Sequence, residues 1–140
     1  MGRKLLALIL LVACKGTPAP PPVDNPTEPE APAFRVDVPP QSTCARATPC
    51  EAKVVLTALD GFKVNAEYPF KFVADASPAL AYDGTGTFTP EGTKTGTLTI
   101  KFTSSEAGTA KVSGTFKLSV CTDEVCKIEA PKIAFDVPVN

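Results

Sequence analysis

The chain has 140 residues, of which 14 are basic and 15 acidic, and a formal net charge of −1 at pH 7. It contains no histidine, which excludes Ser–His and Cys–His catalytic arrangements and every histidine-ligated metal site. No basic stripe and no cluster of basic and aromatic residues stands out, so nucleic acid is not expected among the partners.

The first thirteen residues predict a secretory signal peptide. Arg3 and Lys4 give a basic start, and residues 5–13 are continuously apolar. Because a helix rises about 1.5 Å per residue, this segment would cover less than half of a hydrocarbon core of about 30 Å. It is too short to span a membrane and has the length of a signal-peptide core, which we predict for residues 1–13.

Cys14 follows this apolar segment directly. The run Leu11-Val12-Ala13-Cys14 resembles the lipobox of bacterial lipoproteins, in which the cysteine is alkylated by diacylglycerol and becomes the mature N-terminus. The alternative, an ordinary signal peptide with an unmodified cysteine, conflicts with Leu11, which stands where ordinary cleavage needs a small residue. The resemblance implies a membrane partner through a lipid anchor on Cys14. Lys15 resembles the outer-membrane default, so the expected location is the cell envelope, on the periplasmic face of the outer membrane.

Residues 14–33 combine the predicted lipidated cysteine with a linker that is rich in proline and acidic residues. After Cys14, the only larger apolar side chain of this linker is Val23. Such a segment cannot bury enough surface to offset its ordering entropy, and its prolines favour extended polyproline II. At about 3.1 Å per residue it would hold a domain up to roughly 50 Å from the membrane. A proline-rich docking ligand is the alternative interpretation.

Residues 34–140 predict an all-β domain, an immunoglobulin-like antiparallel β-sandwich of seven to eight strands. Short runs alternate apolar and polar residues and are separated by Gly, Pro and Asp, and no window has the apolar spacing of a long helix. The apolar members of the runs are, in chain order, Val36 and Val38; Val54, Leu56 and Ala58; Phe62 and Val64; Tyr68, Phe70 and Phe72; Phe88; Leu98, Ile100 and Phe102; Val112, Phe116, Leu118 and Val120; and Ile133, Phe135, Val137 and Val139.

The domain contains four cysteines, and export makes a disulfide framework the first expectation. Local pairing, Cys44 with Cys50 and Cys121 with Cys126, is favoured over the other connectivities. A Cys50–Cys121 bridge would imitate the inter-sheet bridge of antibody domains, but the chain lacks the tryptophan that accompanies it. A tetrathiolate zinc site conflicts with an oxidising compartment. No metal or cofactor is therefore expected.

Two segments together resemble a known family. Residues 59–72 read LDGFKVNAEYPFKF, and residues 116–126 read FKLSVCTDEVC. They are similar to segments of domains related to the N-terminal part of the thiol:disulfide interchange protein DsbD, whose closing hairpin carries one cysteine on a strand and a second after a short polar turn. That resemblance implies an immunoglobulin-like fold and redox roles for Cys121 and Cys126. It also implies an envelope protein partner, with a thioredoxin-like protein as one candidate.

The surroundings of the hairpin cysteines allow two interpretations of function. Phe116, Leu118 and Val120 predict that even positions face the core, which places Cys121 on the outward side. Neighbouring Asp123 and Glu124 disfavour a thiolate, and Lys127 opposes them. The first hypothesis is thiol–disulfide exchange at Cys121 and Cys126; the alternative is a non-catalytic interaction or structural lipoprotein with two inert disulfides.

Overall fold

A computed structural model describes residues 16–21 and 29–140 of the chain. The predicted signal peptide, the predicted lipidation site Cys14 and residues 22–28 of the predicted linker lie outside the described residues. Residues 16–21 and 29–32 are exposed and have no regular secondary structure. The described residues contain no helix with the length and apolar character needed to cross a membrane.

The compact unit Ala31–Asn140 is built from β-strands. In chain order they are β1 (Phe34–Asp37), β2 (Pro49–Ala58), β3 (Lys63–Val64), β4 (Lys71–Ala74), β5 (Leu80–Tyr82), β6 (Thr87–Glu91), β7 (Thr95–Ser104), β8 (Gly108–Cys121), β9 (Cys126–Glu129) and β10 (Lys132–Val139). Pairing between these strands is antiparallel throughout, and residues 16–21 and 29–140 include no helix. The predicted all-β class is confirmed, with ten strands where seven to eight were expected.

The strands form two sheets. Sheet 1 has the order β1-β2-β7, and β5 and β6 follow one another along the other side of β7. Sheet 2 is centred on β8, with β3 and β4 along one side and β9 and β10 along the other. When short strands on a common edge are taken together, these are the ABED and CFG orders of a constant-type immunoglobulin domain. The arrangement is that of the predicted antiparallel sandwich.

Three edges of the sheets are each divided into two short strands, at residues that do not continue a ladder. Pro69 lies between β3 and β4, and Pro131 lies between β9 and β10; neither has an N–H to donate. Between β5 and β6, Gly84 and Gly86 have φ angles of 73° and 77°, which break an extended strand. The two strands beyond the eight predicted runs are β5 and β9, and neither carries a run of alternating apolar residues. Only the DsbD-like hairpin implied a strand at β9.

The core lies between the two sheets and follows the predicted alternation. Phe72, Phe102 and Phe116 are its largest fully buried side chains. Phe70 is half-buried and stacks on Phe88, with ring centroids 3.9 Å apart. Val38 differs from the prediction: it is 41% exposed, and β1 ends one residue earlier, at Asp37.

At Gly114, β4 packs closely against β8. A Cβ added at Gly114 would lie 2.5 Å from the carbonyl oxygen of Val73 and 2.6 Å from the ring of Phe72. Real Cβ atoms do not approach backbone so closely, so either β4 or β8 would have to move. Only glycine allows β4 and its buried phenylalanine to pack against β8 here.

Gly114→Ala is therefore expected to destabilise the domain by about 1–3 kcal/mol, the usual effect of overpacking. Urea unfolding followed by far-UV circular dichroism measures this change. Gly61→Ala is the matched control, because nothing lies within 4 Å of an added Cβ there. Equal stability of the Gly114→Ala protein and the wild type would contradict the packing described for this strand pair.

Candidate functional site

The hairpin between β8 and β9 brings Cys121 and Cys126 together. The two residues are directly opposite in the register of the strands, with Cα atoms 4.0 Å apart, and their sulfurs form a disulfide. Opposed residues that exchange no backbone hydrogen bonds approach most closely in an antiparallel pair, and their side chains share one face. The strand pairing itself therefore aligns these two sulfurs.

The turn of the hairpin is held without sulfur. Thr122 donates its backbone N–H to the carbonyl of Val125 at 2.8 Å. The Thr122 hydroxyl oxygen also accepts hydrogen bonds from the backbone N–H groups of Glu124 and Val125, at 3.2 and 3.1 Å. These bonds close the loop around Asp123 and Glu124, so the strands remain paired up to the cysteines through backbone contacts.

The two sulfur-bearing residues differ in exposure. Cys121 is half-buried on the outward side of β8, whereas Cys126 is exposed at the start of an edge strand. An attacking thiolate must approach a disulfide sulfur in line with the S–S bond. Cys126 is the more accessible of the two residues for that approach, and Cys121 is then the leaving group.

Lys63 is a neighbour of the disulfide that the sequence did not reveal. It pairs in register with Cys121 from the opposite side of β8, so the outer face carries the row Lys63, Cys121, Cys126. Its ammonium group bonds Asp123 at 3.1 Å, with both side chains largely exposed. A cation beside a thiol favours the thiolate, and here it also neutralises one of the two hairpin carboxylates. The contact joins residues that are distant in the chain, so only the β3–β8 pairing places them together.

Lys127, which the sequence suggested as the opposing cation, faces the other way. It is paired in register with Val120, a fully buried residue, and its ammonium lies 5.4 Å from the centroid of the Phe62 ring. Positions 120 and 127 share the face opposite to that of the sulfurs. The positive charge on the sulfur side comes from Lys63 instead.

Asn65 and Ser119 are hydrogen-bonded to each other on the outer face of sheet 2, beside the disulfide. The Asn65 backbone N–H bonds the Ser119 carbonyl at 3.1 Å, and its side-chain amide bonds the Ser119 hydroxyl at 3.4 Å. Asn65 also begins a turn, since the Tyr68 backbone N–H donates to the carbonyl of Asn65 at 3.0 Å. The Asn65 side chain, however, bonds a neighbouring strand rather than its own turn, because Ser119 is completely buried beneath it.

The second disulfide joins Cys44 to Cys50, which lies at the start of β2, and their Cα atoms are 5.7 Å apart. Cys44 forms an isolated parallel bridge with Val139, accepting from the Asn140 N–H at 2.8 Å and donating to the Pro138 carbonyl at 2.9 Å. Cys50 is buried on β2 in sheet 1. The bridge thus connects Cys44, which lies beside the end of β10 in sheet 2, to the start of β2 in sheet 1.

Other candidate chemistry is sparse in the described part of the chain. Among residues 16–21 and 29–140, no three His, Cys, Asp or Glu side chains are grouped as metal ligands. Asp60, with a φ of 49°, and Asp83 both lie at turns. A surface groove of about 600 Å³ lies over Cys44 and Cys50, but it is lined mainly by loop residues and its charged members are Glu51 and Lys53.

No protein-family model matches the chain, and comparison with curated proteins also finds no match.

We expect Lys63→Met to lower the thiolate fraction of the reduced hairpin near neutral pH by about two- to fivefold. The substitution removes the cation opposite Cys121 and leaves the Asp123 carboxylate without its ion-pair partner. Asp123→Asn should raise that fraction, since it removes the carboxylate and releases the ammonium group. The ultraviolet absorbance of the thiolate, measured after reduction of the hairpin disulfide, tests both changes.

Lys127→Met is the matched control, because it removes the same charge from the opposite face of the same hairpin. A decrease of the thiolate fraction as large as that caused by Lys63→Met would contradict the placement of Lys63 as the cation on the sulfur side.

Proposed function

We propose that this chain is a lipid-anchored cell-envelope protein whose immunoglobulin-like domain takes part in thiol–disulfide exchange through Cys121 and Cys126. The observation that carries the proposal is the row of exposed Lys63, half-buried Cys121 and exposed Cys126 on the outer face of sheet 2. It combines an accessible sulfur, a leaving sulfur and a cation in one register row.

The chemistry follows from the difference between the two sulfurs. A thiolate of a partner attacks Cys126 Sγ; a bond between the partner sulfur and Cys126 forms, and the bond between Cys126 and Cys121 breaks. Cys121 leaves as a thiolate with the electron pair, opposite Lys63. A second thiol of the partner, deprotonated by solvent, then attacks its own mixed disulfide and releases Cys126. The partner ends as a disulfide, and the hairpin ends as a dithiol.

This stoichiometry favours a partner with two neighbouring cysteines, such as a thioredoxin-like protein, which agrees with the DsbD-like segments of the sequence. The reverse sequence of steps, in which the reduced hairpin gives electrons to an oxidised partner, uses the same atoms. Cys14 would be the lipid anchor, and the proline-rich linker would let the hairpin reach partners in the periplasm.

A structural lipoprotein is the second candidate, because the cysteines lie directly opposite one another in a hairpin that is already paired. On chain-entropy grounds a disulfide that closes so short a loop contributes only about 2 kcal/mol. Under this alternative the bridge staples the turn and never opens.

Equilibration of the full chain with glutathione redox buffers distinguishes the two candidates. Exchange predicts a hairpin potential above about −300 mV, with the Cys44–Cys50 bridge remaining oxidised as an internal control. It also predicts that Cys121→Ser, which leaves the exposed Cys126, reacts faster with glutathione disulfide than Cys126→Ser does. A potential well below that value, with neither single variant forming a mixed disulfide, identifies the bridge as structural.

The anchor is tested separately by metabolic labelling with radioactive palmitate. The wild-type chain should incorporate label and fractionate with membranes, whereas Cys14→Ser should do neither, because the thiol that accepts diacylglycerol is absent. Ala13→Gly, which keeps a small residue before the cysteine, serves as the control and should still be labelled. Unlabelled wild-type protein in the soluble fraction would exclude the lipoprotein assignment.

A further inference from the structure

Two lysines lie directly opposite each other in the middle of the outer face of sheet 2. Lys71 on β4 is paired in register with Lys117 on β8, and both side chains are exposed. Opposed residues of an antiparallel pair have Cβ atoms about 5 Å apart, and like charges in that position are unfavourable. The fold therefore holds two positive charges together where an opposite-charge pair would be more stable.

Neither lysine is neutralised by the rest of the domain. In the part of the chain that the structure describes, no ion pair includes Lys71 or Lys117, although neighbouring lysines of the same face are all engaged. The engaged pairs are Lys63 with Asp123, Lys111 with Asp136, and Lys132 with Asp75. The hydrogen bond from Lys132 also lowers the pKa of Asp75, so that carboxylate stays ionised and paired at neutral pH.

Apolar side chains extend this surface on both sides. Val73 follows Lys71 on the same face and is 44% exposed, and Ile128 on β9 is 68% exposed. Ile128 is opposite Ser119, so it lies between the lysine pair and the row of the disulfide along β8. We call the surface of Lys71, Lys117, Val73 and Ile128 the lysine face.

The lysine face is continuous with the sulfur row. Lys117 precedes Cys121 by four residues on β8. At about 3.3 Å per residue, the two positions are roughly 13 Å apart along the strand. A bound extended segment would cover that distance with about four of its own residues.

We infer that the lysine face docks an acidic stretch of a protein partner and so brings a partner cysteine to Cys126. This inference rests on the proposed function and names the chemistry of its partner. Two carboxylates would complete the charge pairing that Lys71 and Lys117 lack within the domain, and apolar side chains next to them would cover Ile128 and Val73. The acidic residues of the partner stand about four positions from its reactive cysteine.

A protein surface fits this face better than an anionic membrane does. Recognition of lipid headgroups by basic segments uses clusters of roughly four to eight lysines and arginines. Among the described residues of this face, two lysines are without an ion pair. The exposed isoleucine and the adjoining disulfide are features that a protein partner can contact together.

Synthetic peptides test the inference on the full chain carrying Cys121→Ser. Each peptide has one cysteine, activated as a disulfide with thionitrobenzoate, and either two glutamates or two glutamines four and five positions before it. The Cys126 thiolate attacks the peptide sulfur, the Cys126–peptide bond forms, and thionitrobenzoate leaves with the electron pair and reports the rate. At low salt the glutamate peptide should react about fivefold faster than the glutamine peptide.

Matched variants assign that preference to the two lysines. Lys71→Gln plus Lys117→Gln should make the glutamate and glutamine peptides react at equal rates. Lys117→Glu should lower the ratio of the two rates. It should also raise the urea midpoint of the domain, because an opposite-charge pair replaces a like-charge one. Lys53→Gln plus Lys101→Gln removes the same charge from the outer face of sheet 1 and should leave the ratio unchanged. A peptide with its glutamates next to the cysteine should show a smaller rate increase over the glutamine peptide.

The outcomes separate failure of docking from failure of exchange. If no peptide reacts with Cys126, the proposed exchange itself is overturned. If glutamate and glutamine peptides react equally with the wild-type lysines, exchange stands and the docking inference is overturned. It is also overturned if Lys71→Gln plus Lys117→Gln weakens binding to phosphatidylglycerol vesicles and leaves the peptide ratio unchanged, since the face would then contact lipid.

Discussion

The register of β8 is the constraint on which the rest of the molecule depends. One strand of 14 residues pairs with two strands along each side, so its alternation decides what faces the core and what faces solvent. A shift by one residue would bury Cys121 and expose Val120. At Gly114 this register requires a residue without a side chain, because an added Cβ would clash with β4.

The same register gives the outer face charge neighbours that do not favour folding. It puts Lys71 opposite Lys117 and puts Lys63 opposite Cys121. The first pairing is unfavourable for folding, and the second adds a charge that favours an ionised sulfur. Sites that serve binding or chemistry often depart in this way from the most stable choice of residues. The Cys44–Cys50 bridge, at the other end of the domain, shows no such departure.

Sequence patterns predicted the parts of the fold that depend on local order. Alternation identified β2, β7, β8 and β10, because each has a buried face of Val, Leu, Ile or Phe. It missed β5 and β9, whose pairing is imposed by the neighbouring strand rather than by their own composition. The environment of Cys121 was predicted in part: its outward direction followed from alternation, but its cation did not. Lys63 and Cys121 are joined only by tertiary pairing, and adjacency in the sequence pointed to Lys127 instead.

The turn of the β8–β9 hairpin has a consequence for repeated reduction and reoxidation of the Cys121–Cys126 disulfide. Thr122 and Val125 close the loop through oxygen and nitrogen alone. Cleavage of the sulfur bond would therefore leave the two chain segments aligned, and the free thiols would stay poised to rejoin. The hairpin would therefore keep its backbone shape with the disulfide open or closed. A partner would meet nearly the same surface in either oxidation state.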